Sequence, residues 1–432
     1  MSIPIAPLAP DAPTDKHIRP IGPLDAVNKL GVGKPRRSLS GLGMAAIGLE
    51  AEFELVVNGR KCRPEDVFGD PRAFLGSDLV HREGTSYHLP GGAAVYFDTG
   101  VIEVATPPVE VEYRCAERAG RILWEGIADL RSGLDDWERK TGNTAKLVGF
   151  SAHYNLSFEQ SSSGTVEELA WLLVHILPAP VMLVASNRKS TGVGVRPRGN
   201  RVELTVDFSP SPALSIATTA LVTGIARAVM NWPSYAEAIL AENDVPIIDG
   251  LKPKPHTSRK GWLAHATSYS DGNPFDSHPN ETKWRIQTPS GPQPVSLREA
   301  ARQMFEAFLT PIREIAGPFT TRLLTGIMTG ETSALLDLDD RPAAYEDVGR
   351  ACKWESLFAP RTIRRSRYEQ VLVHALRGDR LVIGGEELRP VKPLGWDAIR
   401  FRTARGKTKD VALDDLVPHL RSWRKSSRVL GR

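Results

Sequence analysis

Four short segments of this chain are predicted to form β-strands, one face of which carries carboxylates, an imidazole or an arginine, because alternate residues share one face of a strand. They are residues 48–55, 96–104, 151–158 and 201–208. In the first segment Glu50, Glu52 and Glu54 share one face, and Leu49, Phe53 and Leu55 share the other. Three carboxylates in a row repel each other unless water or divalent cations cover them, and Mg²⁺ favours carboxylate oxygens.

A single antiparallel strand with one polar face is ordinary, because such sheets commonly expose one side to water. Four strands that each carry an acid or a histidine indicate a binding site and not merely a solvated surface. We therefore predict a sheet with an open acidic face that binds cations.

The second segment contains two acids, Asp98 and Glu103, at a spacing of five. That spacing places them on opposite faces of an ideal strand. The glycine of Thr99-Gly100 lies between them, and a glycine inside a strand often marks a bulge. We predict a bulged strand over 96–104 that brings both carboxylates to one side.

The third and fourth segments add other side-chain types to the same face. The third is expected to point Phe150 away from the acids. The side chains that it is expected to point towards them are Ser151, His153, Asn155 and Ser157. The fourth is expected to align Arg201, Glu203, Thr205 and Asp207. Oxygen ligands with one imidazole suit Mg²⁺ or Mn²⁺ better than zinc. Magnesium usually implies substrate phosphates, and arginines at 186–198 would bind their oxygens.

Composition excludes several classes of function. The chain has 432 residues, enough for one large domain and a smaller one. Its formal net charge of +4 is too mild to predict nucleic-acid binding over the whole molecule. Cys62, Cys115 and Cys352 are widely spaced, which indicates neither a disulfide framework nor a zinc site. No apolar run has signal-peptide or membrane-spanning length, so we expect a cytoplasmic protein without a membrane partner.

Proline content and periodicity divide the chain into three parts. Residues 1–40 are Pro-rich, a composition typical of flexible chain. Residues 41–358 hold the four segments and are predicted to form the large domain. Residues 359–432 show short alternating runs, which predict a small β-rich domain with a basic tail. The tail is either a solvated surface or a docking site for an acidic partner.

Helical periodicity and capping boxes predict the helices of the large domain. They are expected over about 111–138, after Thr165, before Trp232, and over about 296–314. Residues 251–282 are predicted to form a long loop, and loops of this length are often functional.

The order of these motifs resembles the glutamine-synthetase-like carboxylate–amine ligases. Asn187-Arg188 and Arg196-Pro197, followed by the strand at 201–208, are similar to the glutamine synthetase stretch that binds nucleotide phosphates and metal. Residues 91–108 resemble the Pup ligase and depupylase branch, which has an essential Asp five residues before a metal-binding Glu. The resemblance covers roughly residues 44–315. The chain departs from that branch at Ser-Ala-His-Tyr-Asn155 and at Glu203, where the branch often has His.

The resemblance implies an α+β fold, an open, mainly antiparallel curved sheet backed by helices, with a small C-terminal domain. It also implies ATP and Mg²⁺, or Mn²⁺, and an acyl phosphate that an amine attacks. The implied metal ligands are Glu50, Glu52, Glu103, His153 and Glu203. The implied nucleotide-binding residues are Arg188, Arg196, Arg198 and Asn155. Arg201 would bind phosphoryl or carboxylate oxygens, and Asp98 would take the proton from the incoming ammonium.

Three functions are consistent with these residues. The first is an ATP-dependent ligase that joins a small Pup-like protein or another carboxylate substrate to an amine acceptor. The second is a depupylase-like amidase on the same scaffold, which that branch combines with a long insertion between the first acidic strand and the aspartate; here only residues 55–97 intervene. The third is a non-catalytic protein that uses its basic C-terminus to bind a partner.

Overall fold

A computed structural model describes residues 42–159, 164–256, 260–288, 291–352 and 363–425. These described residues belong to one compact unit. The Pro-rich segment 1–40 and the last residues of the basic tail lie outside the described residues, so these predictions stay untested.

Strands and helices of the described residues are numbered in chain order. The strands are β1 (Ala46–Val57), β2 (Arg60–Cys62), β3 (Val80–Glu83), β4 (Ser86–His88), β5 (Ala94–Asp98), β6 (Val101–Ala105), β7 (Val109–Glu110), β8 (Ala145–Ser157), β9 (Gly192–Pro197), β10 (Arg201–Asp207), β11 (Ile247–Ile248), β12 (Lys254–Pro255), β13 (Trp262–His265), β14 (Thr282–Thr288), β15 (Gly291–Ser296), β16 (Arg380–Ile383), β17 (Glu386–Leu394), β18 (Ala398–Thr403), β19 (Thr408–Ala412) and β20 (Trp423–Arg424). The helices are α1 (Pro64–Phe68), α2 (Arg72–Leu75), α3 (Cys115–Thr141), α4 (Val166–Ile176), α5 (Pro178–Ala185), α6 (Pro212–Met230), α7 (Ile239–Glu242), α8 (Leu297–Ala307), α9 (Leu309–Ile315), α10 (Pro318–Thr329), α11 (Arg367–Leu376) and α12 (Leu413–Leu416).

A large antiparallel sheet forms the centre of the fold. Its strands follow the order β12-β13-β9-β10-β8-β1-β6-β5-β4-β3, and β2 and β7 also pair with β1. The helices α3 and α6 pack against each other behind it, and α3 contacts β1 and β6. The α+β prediction, with a mainly antiparallel sheet backed by helices, is confirmed.

Helix α6 is the core helix of this layer. It is long and apolar enough to cross a membrane by length and composition, but 78% of that stretch is buried inside the protein. Burial against the sheet and its neighbouring helices accounts for its apolar composition.

The four segments predicted from the sequence occupy neighbouring strands. Antiparallel pairing places His153 opposite Glu50 on one side and opposite Thr205 on the other. On the face behind them, the rings of Phe53 and Phe208 pack edge to face with centroids 5.1 Å apart. Alternation therefore gives each strand one apolar face in the core and one polar face opposite it.

The segment 96–104 is a hairpin, so the predicted bulged strand is wrong. Strands β5 and β6 are joined by a two-residue turn in which Thr99 has φ 52° and Gly100 has φ 96°. Such positive φ values characterise the tight turns of two-residue hairpins. Tyr96 pairs directly with Glu103, and Asp98 lies two residues beyond Tyr96. The turn thus brings both carboxylates to one face, as expected, by another route.

A bulge in β8 corrects the predicted orientation of Phe150. The register with β1 shifts between Ala51 and Phe53, so β8 has one extra residue there. Both Phe150 and Ser151 then face away from the core, and Phe150 is 52% exposed. Phe150 therefore shares the polar face that was predicted to exclude it.

Two further predictions change in detail. Residues 251–282 are not one loop, because β12 and β13 pair with each other and β13 pairs with β9 at the sheet edge. The helix predicted over 296–314 is two helices, α8 and α9, separated by Phe308. Ser296 caps the first, as its capping motif predicted.

The C-terminal strands form a separate five-stranded antiparallel sheet in the order β19-β18-β17-β16-β20. Leu381, Leu388, Ile399 and Phe401 belong to its own apolar cluster. Helix α11 is linked to α3 by a buried ion pair between Glu369 and Arg121. The short β-strands predicted for this part of the chain are confirmed for the described residues, while the domain boundaries stay a prediction.

We expect that only glycine fits at position 149, in the bulged region of β8, without disturbing the core. A Cβ atom there would lie 2.5 Å from Cδ1 of the buried Phe208 ring. We expect Gly149→Ala to lower the free energy of unfolding by ~2 kcal/mol in urea titrations, because the core is overpacked. Gly48→Ala is the control, since a Cβ at Gly48 meets nothing within 4 Å. Equal stability of the two variants would contradict the assigned packing.

Candidate functional site

Most of the predicted site residues line one open cleft over the central strands. Its volume is about 650 Å³. The predicted residues in its walls are Glu50, Glu52, Asp98, Glu103, His153, Arg196, Arg198, Arg201 and Glu203. Acids from β1, β5 and β6 and arginines from β9 and β10 therefore face a common space.

Glu50, Glu103 and His153 form the cluster best suited to a metal ion. One potential ligand atom from each of the three lies within 4.8 Å of the others. Nδ1 of His153 is 3.1 Å from Oε2 of Glu50, and its Nε2 is 3.8 Å from Oε1 of Glu52. Carboxylates with one imidazole fit Mg²⁺ or Mn²⁺.

Burial and mutual repulsion of the carboxylates dominate the electrostatics of the cluster. Burial raises the pKa of Glu103 to about 8, and the charges of Glu50 and Glu52 add to this, against a hydrogen bond from Tyr96. Burial also opposes the ionisation of Glu50, but His153 and Arg201 outweigh it and hold the pKa of Glu50 below its ordinary value. A divalent cation would relieve the repulsion.

Tyr96 belongs to this cluster and was missed by the sequence analysis. Its hydroxyl donates a hydrogen bond to Oε1 of Glu103. Burial, together with the charges of Glu50 and Glu103, raises the pKa of the phenol. The signal was available, because Tyr96 lies two residues before Asp98 and so on the same strand face.

Asp98 lies at the end of β5, at the turn into β6. Oγ1 of Thr99 donates a hydrogen bond to its Oδ1 at 2.7 Å. The carboxylate lines the cleft and is partly exposed. It is thus accessible from the cleft, beside the cluster of Glu50, Glu103 and His153.

Glu203 does not occupy the setting expected of a metal ligand. Its carboxylate is fully buried and forms ion pairs with Arg196 and, at 2.8 Å, with Nε of Arg198. Two guanidinium groups thus compensate a charge that a cation was predicted to compensate. The same pairing holds both arginines at the cleft wall, where they were predicted to bind phosphate.

Arg188 is placed differently from the prediction. Its guanidinium donates hydrogen bonds to the backbone carbonyls of Phe275, Ser277 and Leu338 at 2.8–3.1 Å. The side chain of Arg188 does not line the cleft. It ties its own chain segment to two others, because carbonyls from residues 275–277 and from Leu338 converge on its guanidinium.

A second cavity of about 500 Å³ adjoins the cleft. Glu50, Tyr96 and Arg201 line both cavities. Asn155, which accepts a hydrogen bond from Nε of Arg201 at 2.8 Å, lines the second cavity only. In the same cavity, the guanidinium of Arg82 lies 4.4 Å from the ring centroid of Trp396. Trp396 follows β17, so the C-terminal sheet supplies part of the wall.

Among solved structures, the chain is similar to a chain in the crystal structure of the complex between the prokaryotic ubiquitin-like protein Pup and its ligase PafA. The sequence identity is 12% and the TM-score 0.49, over 90% of this chain and 93% of that chain. No family model and no curated protein matches the sequence.

Divalent cations should stabilise the protein through the Glu50 cluster. We expect Mg²⁺ or Mn²⁺ at a hundredfold excess over its dissociation constant to add ~2.7 kcal/mol to the free energy of unfolding. Glu50→Gln should abolish most of this gain in thermal unfolding experiments. Glu54→Gln should retain it, because Glu54 pairs with Lys61. Stabilisation that survives in Glu50→Gln would place the cation elsewhere.

Without metal, the protein should lose stability as the pH rises. In the folded state Glu103 has a pKa of about 8, far above its ordinary value of 4.5, so the folded state binds more protons between these values. In EDTA we expect the free energy of unfolding to fall from about pH 5 to pH 8.

Two variants test the origin of this pH dependence. Glu103→Gln should remove most of the fall above pH 6. Part of the fall below pH 6 should remain, because burial raises the pKa of Asp207 to about 6. Glu54→Gln should show the same decrease in the free energy of unfolding with pH as the unaltered protein. An unchanged slope in Glu103→Gln would refute the assignment.

Proposed function

We propose that this protein is an ATP- and Mg²⁺-dependent carboxylate–amine ligase. The observation that carries the proposal is the meeting of two cavities at Glu50, Tyr96 and Arg201. A group transferred from a ligand in one cavity to a ligand in the other must pass these residues. The acid cluster and a candidate base, Asp98, lie on the larger side.

The smaller cavity is proposed as the nucleotide site. Its volume lies within the usual range of small-ligand sites. Arg82 and Arg201 supply positive charge for phosphates, and the Trp396 ring supplies an aromatic surface. Asn155 fixes the Arg201 guanidinium through its side-chain oxygen.

Glu50, Glu103 and His153, with Glu52 beside them, would hold the metal. When bound, the ion neutralises charge on the phosphates and polarises the transferred group. Tyr96 orients the Glu103 carboxylate by hydrogen bonding to it. Ser151 does the same for Glu52. These contacts restrict the carboxylates before any ligand arrives.

The larger cleft would take the carboxylate substrate and the amine acceptor. A carboxylate oxygen attacks the γ-phosphorus of ATP, and ADP leaves. The amine nitrogen then attacks the acyl carbon, and inorganic phosphate leaves. Asp98 accepts the proton that the ammonium must lose before it can attack. Arg196 and Arg198, held by Glu203, would bind the carboxylate and phosphoryl oxygens.

A small Pup-like protein is the proposed acid substrate, with isopeptide bond formation as the reaction. The support is the resemblance of residues 91–108 to the Pup ligase and depupylase branch, in which Asp98 and Glu103 keep the spacing of that motif. Both residues line the cleft here, on one face of the β5–β6 hairpin.

Hydroxylamine trapping should test the chemistry. The protein is incubated with ATP, Mg²⁺ and a panel of carboxylates that includes a Pup-like peptide, and hydroxamate and ADP are measured. We expect the two products in equal amounts. Asp98→Asn should reduce amide formation with an amine acceptor by about 10²–10⁴-fold and change ATP affinity less than threefold, because Asp98 lines only the larger cleft.

The control for this experiment is Asp70→Asn, which removes an acid outside both cavities that pairs with Arg72. It should keep full activity. Absence of hydroxamate with every carboxylate, or full amide formation by Asp98→Asn, would overturn the proposal. Release of an amine from amide substrates would instead establish an amidase.

A further inference from the structure

The outer face of the C-terminal sheet carries a row of arginines on adjacent strands. Arg402 pairs directly with Arg389, and Arg380 pairs directly with Arg424. Arg380 and Arg389 each lie one step beyond the Leu381–Leu388 pair and so adjoin each other. The four side chains, which we call the arginine row, cross β18, β17, β16 and β20. None of them lines either cavity.

Acids on this face compensate only part of the charge. Lys392 and Arg400 pair directly and extend the positive surface beside the row. Glu387 contacts both Arg380 and Arg389, and Asp410 pairs with Arg400. Arg402 has no acidic partner among the described residues. Six basic side chains therefore share the face with two acids.

Two exposed valines flank the arginine row. Val382 lies two residues after Arg380 on β16, and Val391 lies two residues after Arg389 on β17. Because these strands are antiparallel, the valines lie on opposite sides of the row. Their exposed fractions are 37% and 44%. The face thus has Val382 beside Glu387, then the cationic row, then Val391.

Such a face is costly for the isolated sheet. Like charges directly opposite each other on neighbouring strands are destabilising, and exposed valines gain nothing from burial. An anionic partner that covered the row and contacted the valines would remove both costs. The parts of the chain outside the described residues contain no acidic run, and a second copy of this face would be repelled.

Spacing distinguishes a helix from an extended peptide as the partner. Neighbouring strands are about 4.8 Å apart, so the row spans about 14 Å over three intervals. Acids at helical positions i, i+3 or i+4 are about 5–6 Å apart, whereas acids at alternate positions of an extended chain are about 6.8 Å apart. A helix laid across the strands therefore matches the row better.

Nucleic acid fits this face less well. Single strands bind through aromatic rings on which bases stack. The aromatic residues within β16–β20, Phe401 and Trp423, are buried in the core of the sheet. The flanking valines also favour a protein, whose interfaces combine apolar centres with charged rims.

We propose that the arginine row and its two valines dock an acidic amphipathic helix of a protein partner. The carboxylates of that helix would face the row, and apolar side chains on both sides of its acidic stripe would contact Val382 and Val391. The site is independent of ATP and of the proposed ligase chemistry.

Fluorescence anisotropy with the full chain, in the absence of ATP, tests this docking site. The probe is a labelled 20-residue helical peptide with glutamates at i, i+4, i+7 and i+11, flanked on both sides by leucines. Arg389→Gln/Arg402→Gln should weaken its binding about tenfold. Val382→Ser/Val391→Ser should weaken it severalfold and leave binding of poly-glutamate unchanged. Binding should weaken between 50 and 300 mM NaCl.

One control variant and three control ligands make the experiment decisive. Arg405→Gln/Lys407→Gln removes the same charge from the exposed turn of the same sheet and should change affinity less than twofold. A peptide of the same composition in shuffled order should bind at least fivefold more weakly, and so should a 20-nucleotide single strand and a 12-base-pair duplex. Equal losses in both double variants, equal binding of the shuffled peptide, or tighter row-dependent binding of nucleic acid would each overturn the proposal.

Discussion

Packing of Phe53 against Phe208 behind the sheet fixes the register on which the carboxylate cleft depends. Apolar residues alternate with acids along β1, so a slip of one residue would move Glu50 and Glu52 into the core. Burying unpaired carboxylates is far more costly than exposing apolar side chains. The apolar face thus determines which carboxylates meet, although it takes no part in the chemistry. Gly149 takes part in the same packing, because the Phe208 ring fills the space beside it.

The cleft contains carboxylates in two different electrostatic settings, and this difference locates the candidate metal site. Glu203 is buried with two guanidinium groups, so its charge is already compensated. Glu50 and Glu103 share one imidazole, and burial together with the neighbouring charge of Glu50 raises the pKa of Glu103. Alternation along a strand predicts that such residues share a face. It does not reveal which carboxylate has an arginine beside it, because that depends on contacts between strands.

The sequence predicted the faces of the central strands well, because a period of two is a local property. It placed Glu50 and His153 together, and the structure pairs them. It missed the β5–β6 hairpin, although a Thr-Gly pair is compatible with a tight turn, and the shared face of Asp98 and Glu103 survived that error. The orientation of Phe150 and the contacts of Arg188 could not be predicted from the local sequence pattern. The first depends on an extra residue relative to the partner strand, and the second on carbonyls about 90 and 150 residues away along the chain.

Glu50, Tyr96 and Arg201 are the residues whose substitution is hardest to interpret, because they line both cavities. Removing any of them would alter both cavities and the Glu50 cluster together, and effects of residues that act as a unit are not additive. Asp98 and Asn155 each line only one cavity. A double-mutant cycle between these two would therefore measure coupling across the shared wall, since neither substitution removes the wall itself. A coupling energy near zero would mean that the cavities bind their ligands independently, whereas a large one would mean that residues of the shared wall transmit it, among which Arg201 contacts Asn155.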